Sequence, residues 1–387
     1  MAGVHAGIKR NPAKEDVSLI VADGPAVAAG VYTQNLVYAA PVALDRARTP
    51  ADNIRCVAVN SGNANACTGE RGLKDAHEMA RLASAAVGAA AEQALVMSTG
   101  IIGEFLPMSK IAAGIAAASE RLGSDEGSFL SAARGLLTTD KGVKVVSGAY
   151  DLGGSEIRIA GMAKGAGMIG PRMATMLGVM LTDAGLTPAD AQAALRDAVE
   201  DSFNCISVEG HMSTNDTVLL LASGAAGDKP LSGDDLTAFR TALREQAIEL
   251  AKMIPDDGEG ATHLMVIDVV GAQTRADAHR IARTIADSAL VKTAIHGGDP
   301  NWGRIVSAAG YAGVAFDPAG VDLHINDFQL YKAGAPQPFN AADVSASMRN
   351  NRDTRIVLSL SEGDARVRFW SSDLTVEYVK FNSDYHT

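Results

Sequence analysis

Cysteine is scarce in this 387-residue chain, with only Cys56, Cys67 and Cys205, too few and too scattered for a disulfide framework. No surplus of basic charge exists either. The formal charge of −11 leaves no cationic face for nucleic acid or an anionic membrane, although local residues still decide what substrate charge is accepted. No apolar run approaches the ~20 residues that span a bilayer. Residues 1–9, Met-Ala-Gly-Val-His-Ala-Gly-Ile-Lys, lack the basic start and continuous apolar core of a signal peptide. The eight histidines show no metal-ligand spacing, and His77, His279 and His324 fall on helical or strand-like stretches. Internal repeats are also missing. These absences predict a reduced, cytoplasmic protein without a metal site.

What remains is a 47% hydrophobic chain, large enough for two domains or one large α/β unit. Alternation and short apolar runs predict strands at 17–22, 26–32, 55–60, 144–149, 156–161, 177–182, 217–222, 263–270, 355–360 and 365–370. Ala-rich helical patterns occupy 73–91, 109–122, 188–202, 235–253 and 274–295. The mixture predicts an α/β fold in which helices cover mixed sheets. It is too irregular for a simple doubly wound sheet.

The most informative stretch is Lys164-Gly-Ala-Gly-Met-Ile-Gly-Pro-Arg-Met-Ala-Thr-Met-Leu177. It sets Thr175 after the small residue Ala174, at the end of a glycine-rich turn. A chain that cuts itself there gains an N-terminal threonine. Its hydroxyl is a nucleophile, and its α-amine, with an unperturbed pKa of about 7.7–8.0, is a base near neutral pH. That chemistry is acyl transfer. Gly165-x-Gly167-x-x-Gly170 also has the spacing of a dinucleotide-binding turn, which needs a helix next and an acid on a strand about 20 residues on. The acid at that distance, Asp190, lies instead in Thr187-Pro-Ala-Asp190, a helix start, and residues 176–181 read as a strand. The context fails.

Other polar loops follow apolar runs, where α/β proteins keep function. Asn60-Ser-Gly-Asn-Ala-Asn65 lines a polar pocket or bonds its own backbone at a helix entry, equally well on sequence. Ser98-Thr99-Gly100 pairs a hydroxyl with an open glycine amide, as an oxyanion hole requires, although such a tripeptide is usually a turn. Glu259, between two glycines, is a carboxylate placed for a substrate amine or a solvated turn residue. Residues 209–217 concentrate hydrogen-bonding groups before an apolar run. Gly297–Arg304 reads as a tight turn with a Trp packed below it, and the tail 380–387 is too patterned for a frayed end.

Together these segments resemble the ornithine acetyltransferase family of arginine biosynthesis, whose members are glutamate N-acetyltransferases and in some cases also amino-acid N-acetyltransferases. The resemblance is collinear through residues 6–9, 25–33, 59–69, 98–104, 138–140, 164–177, 213–221, 257–262, 299–305 and 382–387. It departs at Lys141, Gly170, Arg172, His211 and Met212. It implies self-cleavage between Ala174 and Thr175 into an α chain (1–174) and a β chain (175–387). Both would contribute to one active site, and two of each would form a heterotetramer. The implied fold is a layered α/β sandwich, similar to N-terminal-nucleophile hydrolases but distinct in topology. Thr175 is then the nucleophile, Thr99 and Gly100 the oxyanion hole, and Thr138, Lys164, Thr175, Glu259, Asn382 and Thr387 the substrate-binding residues. Implied too are small amino-acid substrates, no metal and no cofactor, with acetyl-CoA as an optional co-substrate. The alternative keeps the nucleophile and hands the acyl group to water, as an amidase or aminopeptidase-like hydrolase does.

Overall fold

The computed structural model describes residues 1–170, 176–227 and 229–384. The strands in chain order are β1 (Ala2–Val4), β2 (Val17–Tyr32), β3 (Ala51–Asn63), β4 (Ala94–Ile101), β5 (Lys144–Leu152), β6 (Ser155–Lys164), β7 (Leu177–Thr182) and β8 (Ile206–Ser207). They continue with β9 (Thr217–Ala222), β10 (Leu264–Ala272), β11 (Asp322–Ile325), β12 (Phe328–Lys332), β13 (Ala335–Pro336), β14 (Asp353–Ser359) and β15 (Ala365–Ser372). One sheet has the order β4-β3-β2-β9-β7-β6-β5, with β1 beside β2, and the other β13-β12-β11-β14-β10-β15-β8. Both mix parallel and antiparallel pairs, as expected of this α/β class.

The two strands expected at 17–22 and 26–32 are one strand. It shifts register between Val21 and Ala26, around the exposed turn-like residues 23–25. Its first half pairs mainly with β3 and its second half with β9. Ile20, Val57 and Leu95 from one arm of this sheet share a core with Met162, Val179 and Leu219 from the other.

A larger core joins both sheets through the helices Pro188–Asp201 and Gly233–Asp256. In the second sheet Met265, Ile267 and Val269 alternate onto one buried face under the helix Arg275–Asp287, where His279 meets Phe369 edge-on. Side chains of this kind are each worth roughly 1.5–3 kcal/mol when buried. The helix expected at 274–295 is two helices, Arg275–Asp287 and Ala289–Gly297. Ser288 ends the first and caps the second by accepting from the Val291 amide, so the break is a capping event.

The turn expected at 297–304 contains the start of a helix, Trp302–Gly310. Asn301 caps it, and Trp302 stacks on Tyr331 at 5.0 Å. The tail is helical over Val376–Asp384. Among the described residues no helix is long and apolar enough to cross a membrane.

Candidate active site

The end of β4 is held from several sides. Ser98 Oγ donates to Asn60 Oδ1 at 2.6 Å, and Asn215 Nδ2 donates to the Ser98 carbonyl at 2.8 Å. Parallel pairing sets Gly100 against Gly62. Gly100 has φ +135°, and a Cβ there would collide with the Gly62 backbone, so only glycine fits. The Asn-rich loop mostly serves its own backbone: Asn60 reaches the Asn63 carbonyl and Asn65 the Gly72 carbonyl, both at 2.9 Å.

Lys164, the last residue of β6, is 2% exposed and donates to Thr99 Oγ1 at 3.4 Å. An ammonium only donates, so the Thr99 oxygen accepts and its own proton is free to point elsewhere. Two predicted site residues thus meet in the way an oxyanion donor needs. Burial pulls the Lys164 ammonium below its usual range, opposed by Asp140.

Asp140 accepts from the Gly165 amide at 2.6 Å and from Lys144 Nζ at 2.7 Å, and Lys144 also reaches Asp257 at 2.6 Å. Burial favours the neutral Asp140 carboxyl, yet Lys164 and Lys144 outweigh it and hold the group well below the usual carboxylate range. Asp216 is fully buried. It accepts from the Met176 amide at 3.1 Å, and desolvation raises its carboxyl well above the usual range despite that bond and Lys164.

Glu259 leans on the same glycine-rich loop. Its amide donates to the Ala166 carbonyl at 2.9 Å, and a Cβ on Gly167 would lie 2.5 Å from its carboxylate. Asn382 Nδ2 donates to Glu259 Oε2 at 3.0 Å, which joins the terminal helix to the site. Glu209, whose carboxyl burial raises to about 8 with Glu259 adding to the shift, stands nearby. Beyond Gly167, the Ile169 carbonyl accepts from the amides of Val208, Glu209 and Gly210 at 2.9, 3.3 and 3.0 Å. The chain is therefore anchored at Ile169 and again at Met176. Ala174, Thr175 and Thr387 lie outside the described residues.

Gly100 and Thr138 line one cavity of about 730 Å³, with Gly62, Asn63 and Glu104. Lys9, Arg10, Lys14 and Lys110 border it, and among the described residues none forms an ion pair. Lys9 Nζ donates to the Glu15 carbonyl at 2.6 Å and Lys110 Nζ to the Gly7 carbonyl at 2.5 Å. Burial lowers Lys9 to about 8, partly opposed by Asp16. A second cavity of about 720 Å³ lies over the other face of the second sheet, where Asp268 takes both Arg355 and Arg368 at 2.7–2.9 Å.

The dinucleotide alternative fails structurally as well. The predicted strand after Gly170 is β7, and Asp190 sits at the third position of the helix capped by Thr187, bonded to its hydroxyl at 2.6 Å. Sequence reasoning missed Asp140 as a site residue, along with Lys144, Glu209 and Asp216. A polar segment before an apolar run was the only signal for the last two.

The ArgJ family model matches residues 1–387. The chain is 49% identical to a protein of Rhodopirellula baltica named arginine biosynthesis bifunctional protein ArgJ, over all of this chain and 95% of that one. It is 44% identical to the protein of the same name from Geobacter sulfurreducens, over all of this chain and 98% of that one. A crystal structure of arginine biosynthesis bifunctional protein argJ from Bacillus halodurans superposes with a TM-score of 0.52 at 37% identity. The match covers 54% of this chain and 98% of that one.

Proposed function

The chain belongs to the ArgJ family, and from that premise we propose that it is a self-processing acetyltransferase moving acetyl from N-acetylornithine to glutamate. The observation that carries this reading is the convergence of Lys164, Thr99 and Gly100 at the end of β4, while Asp216 holds the amide of the residue after Thr175. In the first half-reaction Thr175 Oγ attacks the acetyl carbonyl and the Thr175 α-amine takes the hydroxyl proton. Thr99 and the Gly100 amide receive the tetrahedral oxyanion. Collapse breaks the amide bond, and the departing ornithine nitrogen takes back the proton. In the second half-reaction the glutamate amine attacks the acetyl-threonine ester, giving N-acetylglutamate and free Thr175. The ester keeps the acetyl group activated, so no ATP is consumed.

Lys164 supplies the charge for the substrate carboxylate and Glu259, with Asn382, the carboxylate for the ammonium. Thr138 and Thr387 complete the amino-acid pocket. The rim cations Lys9, Arg10, Lys14 and Lys110 draw anionic substrates toward Gly100. Self-cleavage uses the same Thr175 hydroxyl on the Ala174 carbonyl, an N→O acyl shift followed by hydrolysis. The Bacillus halodurans chain supports a divided protein: it matches over nearly its whole length, yet over only slightly more than half of this chain, the share taken by residues 175–387. The word bifunctional in the relatives' names fits acetyl-CoA as a second donor. We place the α and β chains in a cytoplasmic heterotetramer.

Mass spectrometry of purified protein, combined with acetyl-transfer assays, tests this reading. The wild type should appear as two fragments, the second beginning Thr-Met-Leu-Gly, and Thr175→Ala as one inactive chain. An intact wild-type chain with full activity refutes the reading. Acetate released from N-acetylornithine regardless of glutamate replaces it with the hydrolase.

A further inference from the structure

Three segments far apart in sequence bring a second group of chemically distinctive side chains together. His263 stands at the entry to β10, His296 in the last turn of the helix Ala289–Gly297, and Asp373 just after β15. Both imidazole Nδ1 atoms lie 3.2 Å from the same carboxylate oxygen, Asp373 Oδ2. The Thr262 hydroxyl sits among them, 2.9 Å from His263 Nδ1, 3.0 Å from His296 Nδ1 and 2.5 Å from Asp373 Oδ2. The donor atoms of the two histidines and Asp373 all fall within 4.8 Å of one another.

The two 3.2 Å separations from Asp373 Oδ2 are those of neighbouring ligand atoms in a metal shell. Tetrahedral Zn²⁺ with bonds of about 2.0–2.1 Å places neighbouring ligand atoms about 3.3 Å apart. Two imidazoles and a carboxylate are also a donor set that first-row divalent ions favour. The carboxylate is held in a ligating orientation, because its Oδ1 accepts from the Thr262 amide at 2.9 Å and the Asp373 amide donates to the His263 carbonyl at 3.1 Å. The nearby cation Lys292 is turned away, toward Ser371 Oγ at 2.9 Å and the Ser372 carbonyl. His296 keeps a side chain 41% exposed, which gives an ion a way in.

We propose that His263 Nδ1, His296 Nδ1 and Asp373 Oδ2 bind one Zn²⁺ ion, with the Thr262 hydroxyl or a water as the fourth ligand. The individual histidine spacings gave no hint of it, because the site exists only once β10, β15 and the helix before Trp302 are assembled. Thr262 ends the segment that carries Glu259, and Asp373 precedes Thr375, whose hydroxyl donates to the Gly260 carbonyl at 2.9 Å. Bound zinc therefore ties the Glu259 loop to the chain leading into the Asn382 helix. The site lies outside the acetyl-transfer chemistry and does not depend on that reading.

Zinc chloride titrated into the full chain, after metal removal by chelation, tests the proposal by calorimetry and metal analysis. The wild type should take up one ion per chain and melt at a higher temperature with zinc present. His296→Ala, at an exposed position, and His263→Gln should each weaken uptake at least tenfold, while His77→Ala leaves it unchanged. Circular dichroism identifies any variant that fails to fold, and Co²⁺ absorption bands report the ligand geometry directly. No uptake by the wild type, as for a purely hydrogen-bonded cluster, overturns the proposal. Undiminished uptake by folded His296→Ala does the same.

Discussion

Two cavities of nearly equal size, about 730 and 720 Å³, differ in what their walls still have to offer. Over the second sheet most of the charges are already matched: Asp268 serves Arg355 and Arg368, and Arg275 serves Glu200 and Asp201, which leaves Arg366 without an ion pair among the described residues. At the end of β4 none of the rim cations forms an ion pair among the described residues, although Asp16 attracts Lys9, and a glycine corner that admits no side chain abuts a desolvated lysine. Volume does not tell these two cavities apart. What separates them is the buried Lys164 beside a glycine corner that admits no side chain, and preorganised groups of that kind do not have to reorient as charge develops.

The largest effect should come from Lys164→Met, which removes the charge beside Thr99 and leaves Asp140 with one cation fewer. Acetyl transfer should fall on the order of 10²–10³-fold or more, measured as initial rates, whereas Arg368→Met in the other cavity should stay within about twofold of wild type. Equal losses would break the comparison. Gly100→Ala should come next, lowering stability by about 1–3 kcal/mol in a denaturant titration through overpacking and its positive φ. Gly142→Ala, where a Cβ meets nothing within 4 Å, is the near-neutral control.

Glu209 sharpens the contrast through pH. Its folded-state pKa of about 8 stands above the ordinary value of 4.5, so the native state binds the extra proton between them. That contribution to stability is complete below 4.5 and is lost as pH rises through about 8. The wild-type melting temperature should therefore fall more steeply across that window than that of Glu209→Gln. The smallest effect belongs to the paired cavity: Arg355→Ala should cost about 0–1 kcal/mol, as expected for a half-exposed ion pair, and less still in high salt.

The strands were legible because short apolar runs leave little choice, and β7 and β9 fall where such runs put them, at 177–182 and 217–222. Short helices such as Ala40–Arg48 and Glu126–Leu136 escaped, because nine or eleven residues give a helical period too few turns to register. Ser288 could have announced the helix break, since serine is a favoured cap. In the candidate site, Thr99, Gly100, Lys164 and Glu259 could be singled out through their glycine-flanked segments and the family resemblance. Asp140 and Asp216 were not. An acid in a polar loop reads as solvated until tertiary packing shows that it is sealed beside a lysine.

The strand order of the first sheet weaves together chain from before and after residue 175: β9 and β7 are laddered between β2 on one side and β6 on the other. Severing the backbone at that point divides the polypeptide without dividing the sheet. Neither product could drift off without stripping rows of amide and carbonyl groups of their mates in a dry interior. They would have to leave by unfolding, so two gel bands would still be a single body in solution.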